Sequence, residues 1–156
     1  MLRWLWLTGL VVVLDQVSKQ WLSAVLHYHE PFAVIPYFNL TLMHNSGAAF
    51  SFLADAGGWQ RWFFAAVALI ASTAITLWLR GLKPHQRWEA AALAMVLGGA
   101  LGNLWDRLWY GYVIDFLDVY YGNYHWPAFN IADTAITIGA AMLIIDLLFM
   151  QRHVKA

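Results

Sequence analysis

The 156-residue chain contains no cysteine, which excludes disulfides, thiolate catalysis and cysteine metal sites. Only 12% of its residues are charged, about half of the roughly 25% that is usual in a soluble globular domain. Basic and acidic residues balance to a net charge of zero, so the chain has no basic block with which to bind nucleic acid. No His-Glu-x-x-His pattern is present, so the sequence does not support a zinc protease site.

What the chain has in abundance is apolar sequence, which makes up 62% of the residues and includes ten tryptophans. A helix needs about 20 apolar residues to cross the hydrocarbon core of a bilayer. Four segments reach or approach that length, near residues 2–22, 62–79, 88–105 and 131–150. We therefore expect one integral membrane domain over residues 1–156, with four transmembrane helices.

Basic residues flank the four segments mainly on one side. This set is Arg3, Arg80, Lys83, Arg87, Arg152 and Lys155. Positively charged loops stay in the cytoplasm, so the pattern predicts a multi-pass protein with both termini cytoplasmic. An even number of spans leads to the same arrangement.

Two segments then lie outside the membrane. Residues 38–44 alternate apolar and polar side chains, as a half-buried strand does. Prolines and glycines divide the surrounding residues 31–58 into short pieces, so we expect a small β-structure there. Residues 107–128 are rich in tryptophan and tyrosine, and we expect a short interfacial helix in them.

Two charged residues inside the first predicted span, Asp15 and Lys19, are four residues apart. They share one helix face and can pair, which lowers the cost of placing both charges in a membrane. We interpret this pair as structural rather than catalytic. A serine–lysine dyad of Lys19 with Ser46 or Ser51 is disfavoured, because the neighbouring Asp15 keeps the lysine charged and a poor base.

The third predicted span contains the small-residue run Gly98-Gly99-Ala100-Leu101-Gly102. Such a face lets two helix backbones approach closely in lipid, and we favour this packing role over a direct catalytic role for Gly99. Asp106 and Arg107 follow at the outer end of the span. In one interpretation these two residues simply form a solvated helix end. In the functional interpretation, Arg107 orients a substrate or a carboxylate.

Two more aspartates, Asp115 and Asp133, are placed at the outer ends of predicted spans, where ionisable residues are candidates for function. Asn130 and Asp133 have a spacing that resembles a capping box, and helix capping alone explains them about as well as catalysis does. Asp115 is not placed to cap any predicted helix, whereas Asp118 is expected to face water. If Asp115 and Asp133 meet, they can share a proton and hydrolyse a peptide bond.

Five sequence boxes follow one another along the chain. They read Asp15-Gln16-Val17-Ser18-Lys19, Asn45-Ser46-Gly47-Ala48-Ala49-Phe50, Gly98-Gly99-Ala100-Leu101-Gly102-Asn103-Leu104-Trp105-Asp106-Arg107, Val113-Ile114-Asp115-Phe116 and Phe129-Asn130-Ile131-Ala132-Asp133. With these boxes in this order, the chain resembles the lipoprotein signal peptidases (signal peptidase II), a family of bacterial membrane aspartic proteases. Any one box is weak, but five in order over nearly the whole chain are specific.

The resemblance implies a catalytic dyad of Asp115 and Asp133. It also implies a set of residues that line or support the site: Asn45, Asn103, Arg107, Asn130, Asp15, Lys19 and Gly99. The implied substrate is a prolipoprotein whose cysteine carries diacylglycerol, cleaved just before that cysteine without a metal or cofactor. The implied fold is an all-α membrane protein of four transmembrane helices with a small extracytoplasmic β-cradle near residues 31–58.

The resemblance further implies a monomer in the bacterial inner membrane, in contact with membrane lipid, with its site near the periplasmic face. A different class of function, a small proton-coupled transporter or a membrane assembly factor, predicts polar residues spread along a path through the membrane. Apart from Asp15, Lys19 and Asp146, the polar candidates cluster at the outer end, which favours a site over a path.

Overall fold

A computed structural model describes residues 1–47 and 57–150 of the chain. Each predicted span is a helix: α1 (Leu5–Val25), α2 (Trp59–Gly81), α3 (Arg87–Trp109) and α4 (Ile131–Ile145). One 3-10 turn, Leu2–Trp4, precedes α1, and a π-helical turn, Asp146–Met150, continues α4.

Two of these helices are long and apolar enough to cross a membrane by themselves, namely α2 and α4 extended to Phe149. The other two helices are equally long but less apolar, because α1 contains Asp15 and Lys19 and α3 contains several polar residues near its outer end. The described part of the chain is therefore consistent with a membrane protein. Four transmembrane helices remain a prediction.

Four strands form one antiparallel sheet in the order β1-β2-β3-β4. They are β1 (Pro31–Ile35), β2 (Phe38–Asn45), β3 (Val113–Tyr121) and β4 (Tyr124–His125). The strand predicted from the alternating residues 38–44 is confirmed as β2. Residues 48–56, which complete the predicted β-cradle region, lie outside the described residues.

The short interfacial helix that we expected within residues 107–128 is wrong for the described structure, because β3 and β4 occupy most of that segment. Tryptophan and tyrosine suit an interfacial helix and a strand equally, so aromatic content does not separate the two. The β-branched residues Val113, Ile114 and Val119 favour a strand over a helix. The extra strands make the sheet larger than the sequence predicts.

Helix α3 lies at the centre of the fold, in contact with the other three helices. Alanines Ala90, Ala92 and Ala94 are fully buried along it. A Cβ atom added to Gly99 would collide with the carbonyl oxygen of Ala132 in α4, so the backbones of α3 and α4 touch at that point. The predicted packing role of the small residues agrees with this geometry.

Candidate active site

The first turn of α4 carries one of the predicted aspartates, Asp133. Asn130 caps the helix, since its Oδ1 accepts a hydrogen bond from the Asp133 backbone N–H at 2.9 Å. In return Asp133 Oδ2 accepts from the Asn130 backbone N–H at 3.3 Å, which completes a capping box. The capping role therefore exists, but it occupies only one oxygen of Asp133. The other oxygen accepts from Asn103 Nδ2 at 2.7 Å.

Asp115 reaches the same place from β3. Its side chain is buried, with Oδ1 accepting from Asn130 Nδ2 at 2.7 Å and Oδ2 accepting from Asn45 Nδ2 at 3.2 Å. Asn130 thus contacts both aspartates, one through its side-chain amide and the other through its capping bonds. Burial, and then the neighbouring charge of Asp133, raise the pKa of Asp115 to about 7.

Asn103 on α3 connects this pair to the first helix. Its Oδ1 accepts from Lys19 Nζ at 3.0 Å and from Asn130 Nδ2 at 3.2 Å. With the carbonyl end of the amide held by these two donors, its Nδ2 points towards Asp133. The amide orientation is thereby determined by the contacts around it.

A charged network lies directly beneath the site. Lys19 Nζ is 2.8 Å from both Asp15 Oδ2 and Asp106 Oδ2, and all three side chains are fully buried. The predicted pairing of Asp15 with Lys19 is confirmed. Asp106 is not a solvated helix end, because it forms the third member of this network. Gln16, to which we had given no role, donates to Asp106 Oδ1 at 2.8 Å.

This network also accepts hydrogen bonds from the backbone next to each site aspartate. Asp106 Oδ2 accepts from the N–H of Ile114, the residue before Asp115, at 3.1 Å. Asp15 Oδ1 accepts from the N–H of Ala132, the residue before Asp133, at 2.9 Å. The only sequence signal for this arrangement was that Asp15, Gln16 and Asp106 belong to the same boxes as site residues.

Arg107 is half-buried and therefore is not a solvated helix end either. Its Nη2 donates to the backbone carbonyl of Gly47 at 3.1 Å, and its Nη1 to that of Asn103 at 3.3 Å. Its guanidinium lies 5.3 Å from the ring centre of Phe64. The rest of the second box, residues 48–50, and Ser51 lie outside the described residues.

A cavity of about 480 Å³ opens in front of these residues. Asn45, Asn103, Arg107 and Asp133 form its polar side, and Ile136 and Ile138 of α4 contribute to its apolar side. Asp115 lies behind this wall, 2% exposed. Within residues 1–47 and 57–150, no group of three or more His, Asp or Glu side chains is placed to hold a metal ion.

Asp118 does not face water, which corrects the sequence-based expectation. It is 6% exposed, and its Oδ2 accepts from Asn39 Nδ2 at 3.1 Å and from Thr41 Oγ1 at 3.3 Å. It is three residues from Asp115, so the two side chains leave opposite faces of β3. Polar partners from β2 cover it there, which the local sequence around Asp118 does not reveal.

The arrangement can perform acid–base chemistry on a peptide. Asp133 lines the cavity and Asp115 lies behind its wall, amide N–H groups orient both carboxylates, and no ion pair to either is found among the described residues. Two adjoining carboxylates cannot both ionise comfortably, so one of them keeps a proton near neutral pH. A base and an acid are then available in one place.

Comparison with known proteins points to the same chemistry. Residues 7–149 match the family described as signal peptidase (SPase) II. A lipoprotein signal peptidase of Alteromonas mediterranea is 56% identical over 146 residues, which is 94% of this chain and 80% of that protein. A lipoprotein signal peptidase of Pseudomonas aeruginosa is 55% identical over 157 residues, which is 99% of this chain and 93% of that protein.

A solved structure has the same fold over nearly the whole chain. It is a bacterial membrane enzyme determined by the in meso method at 2.3 Å resolution, with a TM-score of 0.84 and 33% identity. The match covers 94% of this chain and 87% of that one. These similarities do not favour a transporter or an assembly factor. The chain belongs to the signal peptidase II family and is an aspartic protease of the bacterial membrane.

Proposed function

We propose that Asp115 and Asp133 are the catalytic dyad of this enzyme, and that it removes the signal peptide from prolipoproteins whose cysteine carries diacylglycerol. Cleavage falls just before that cysteine. The observation that carries the assignment is the double contact of Asn130, whose side-chain amide holds Asp115 and whose capping bonds hold Asp133. One residue thereby sets the positions of both carboxylates beside a single cavity.

The surroundings of the two aspartates indicate which one is protonated and which one is ionised. Asp115 is more deeply buried, and burial raises its pKa to about 7, so its protonated form predominates in slightly acidic solution. Asp133 lines the cavity at the positive end of a helix, where an ionised carboxylate is stabilised. We therefore assign the shared proton to Asp115 and the negative charge to Asp133, as properties of an interacting pair.

Hydrolysis then needs only these two groups and water. Ionised Asp133 takes a proton from a water molecule as the water oxygen attacks the scissile carbonyl carbon. Protonated Asp115 gives its proton to the carbonyl oxygen, where negative charge develops. When the tetrahedral intermediate collapses, the proton on Asp133 passes to the leaving amine and the diol proton returns to Asp115, so the dyad is restored.

The remaining predicted site residues have supporting roles in this proposal. Asn45 and Asn103 each donate to one carboxylate and limit its rotation. Arg107 lines the cavity, where it can orient the substrate. The network of Asp15, Lys19 and Asp106 holds the adjoining backbone, and Gly99 allows α3 and α4 to approach.

The cavity also supports a location for the site. Its α4 wall includes Ile136 and Ile138, which suit a signal peptide and acyl chains that arrive from the bilayer, and its polar end admits water. We propose a monomeric enzyme of the inner membrane, a single domain with four spans and both termini in the cytoplasm. The dyad then lies near the periplasmic face.

A cleavage assay tests the proposal. Purified enzyme in detergent is offered one prolipoprotein with and without its diacylglyceryl group, and the products are separated on a gel. We expect cleavage of the lipidated form alone, and no cleavage by Asp133→Asn. Glu30→Gln, which removes an exposed carboxylate of the outer region, serves as the matched control and should cleave normally. Equal cleavage of both substrate forms would contradict the lipid requirement, and an active Asp133→Asn variant would contradict the dyad.

A further inference from the structure

A second cavity, also of about 480 Å³, lies on the sheet. Its lining includes Thr41 and Met43 of β2, Asp118 of β3 and His125 of β4. None of the predicted site residues lines it. Its wall of residues 126–128 is shared with the catalytic cavity, so the two cavities lie on either side of one short stretch of chain.

The shared wall is firmly held. At its start, the Trp126 N–H donates to the carbonyl of Val119 at 2.8 Å. At its end, Phe129 exchanges hydrogen bonds with Leu117 in both directions, at 2.8 and 3.1 Å. A wall one chain wide is roughly 5 Å across, which an extended peptide crosses in about two residues. A substrate bound at the dyad therefore reaches the second cavity within a few residues.

The two cavities are built on different elements, which gives the substrate a direction. The catalytic cavity extends along α4, a helix long and apolar enough to cross a membrane, so the hydrophobic signal peptide fits beside it. The second cavity is built on the sheet and contains a buried carboxylate beside a half-exposed imidazole. The polar chain that follows the cleavage-site cysteine fits the second cavity better, because apolar residues lose nothing by remaining in lipid while polar ones do.

The imidazole of His125 offers one specific binding group. Its Nδ1 is 2.7 Å from Asp118 Oδ1, and its ring stacks on Tyr120 at 5.2 Å between centres. In the neutral tautomer whose Nδ1–H donates to the Asp118 carboxylate, Nε2 is left as the acceptor. No partner for Nε2 is found among residues 1–47 and 57–150. Asp118, held by Asn39 and Thr41, thereby determines which nitrogen is free to bind.

We infer that the second cavity binds the main chain of the first residues after the cleavage-site cysteine, with Nε2 of His125 accepting a peptide N–H from the substrate. This inference rests on the proposed function. It assigns His125 a direct contact with substrate and Asp118 a positioning role. Neither is required for the proton transfers at the dyad.

The experiment uses lipidated substrates that differ only after the cysteine. One series ends at the cysteine amide or continues for two, four or six residues. A second series carries a single N-methyl group at successive peptide nitrogens in that stretch. We expect the wild-type kcat/KM to rise about five-fold from the shortest to the longest substrate, which is the contribution of about one hydrogen bond. Methylation of the one peptide N–H that binds His125 should lower kcat/KM by about the same factor.

His125→Phe keeps the ring stack on Tyr120 but lacks the acceptor nitrogen. We expect it to cleave the shortest substrate like the wild type and to lose both the gain with length and the sensitivity to methylation. Tyr124→Ala, next to it on β4 and 85% exposed, is the matched control and should keep both. Asp118→Asn, which releases the choice of tautomer, should give an intermediate loss for long substrates only.

Three results would overturn the inference. One is a wild-type kcat/KM that does not change with substrate length. Another is a His125→Phe variant that loses activity equally on the shortest and longest substrates, since that pattern indicates damage to the fold. The third is unchanged sensitivity to methylation in His125→Phe. Cleavage that survives in Asp133→Asn would instead refute the dyad and leave the length dependence to be judged separately.

Discussion

Two pairs of aspartates lie next to each other in this protein, and their partners differ. Asp15 and Asp106 share the ammonium group of Lys19 at 2.8 Å each. Asp115 and Asp133 have amide N–H donors but no ion pair among the described residues. One ammonium group shared by two carboxylates forms an ionic support, whereas two carboxylates held by neutral amides keep a proton between them.

The comparison explains why one cluster lies behind the other. The Lys19 network binds the backbone N–H groups of Ile114 and Ala132, each directly before a dyad aspartate. Charged hydrogen bonds to backbone are among the stronger ones, so the network limits the movement of both carboxylates. The site combines an ionic support with a pair of carboxylates that has no ion pair among residues 1–47 and 57–150.

The largest expected effect comes from removing either member of the reactive pair. Asp115→Asn and Asp133→Asn should each lower kcat by roughly 10² to 10⁴-fold, because each removes one proton-transfer group. The double variant should be hardly worse than either single one, since the two aspartates act as a unit. Single-turnover cleavage of a lipidated prolipoprotein measures the rates. Near-normal turnover in either single variant would refute the proposal that Asp115 and Asp133 are the reactive pair.

Removing the cation of the Lys19 network should mainly lower the stability of the protein. Lys19→Met leaves two buried carboxylates without their cation, which should destabilise the protein by about 3–5 kcal/mol. Thermal unfolding in detergent measures the loss against Lys83→Met, which removes an exposed lysine and should leave the transition unchanged. An equal melting temperature for the two variants would show that Lys19 does not balance Asp15 and Asp106.

A smaller effect is expected where α3, which carries Asp106, touches α4, which carries Asp133. Gly99→Ala places a methyl group against the Ala132 carbonyl, and overpacking of this kind costs about 1–3 kcal/mol. It should also lower kcat, because Ala132 precedes Asp133. Gly9→Ala in α1 is the control, since open space surrounds Gly9 and the change should be neutral or slightly stabilising. Equal stability of the two variants would argue against close packing at Gly99.

The smallest expected effect is a shift in the pH dependence of activity. Asp115 must hold its proton, and its pKa is about 7, so activity should be present below pH 7 and fall about tenfold per unit above it. Asn45→Ala removes a hydrogen bond that favours ionised Asp115 and should therefore move this fall to higher pH. A profile of kcat/KM from pH 5 to 9 measures both. A fall at the same pH in the variant would indicate that another group titrates.

Much of the fold could be predicted from local patterns. Each long apolar segment is a helix, and the alternating residues 38–44 form β2. The segment that became β3 was misread, because its aromatic residues serve both an interfacial helix and a strand. The expectation for Asp118 was also wrong, since its partners Asn39 and Thr41 are distant in sequence and meet it only across the sheet.

By itself, the sequence determined the membrane character, the helical segments, the family and the pairing of Asp15 with Lys19. These properties depend on composition, on helical periodicity and on motifs that are contiguous in the chain. Only the tertiary structure decided that Asn130 contacts both Asp115 and Asp133, that Asp106 completes the Lys19 network, and that a second cavity adjoins the first. The physical reason is distance along the chain: these contacts join α1, α3, α4 and the sheet, and no local rule specifies which side chains meet when such elements pack.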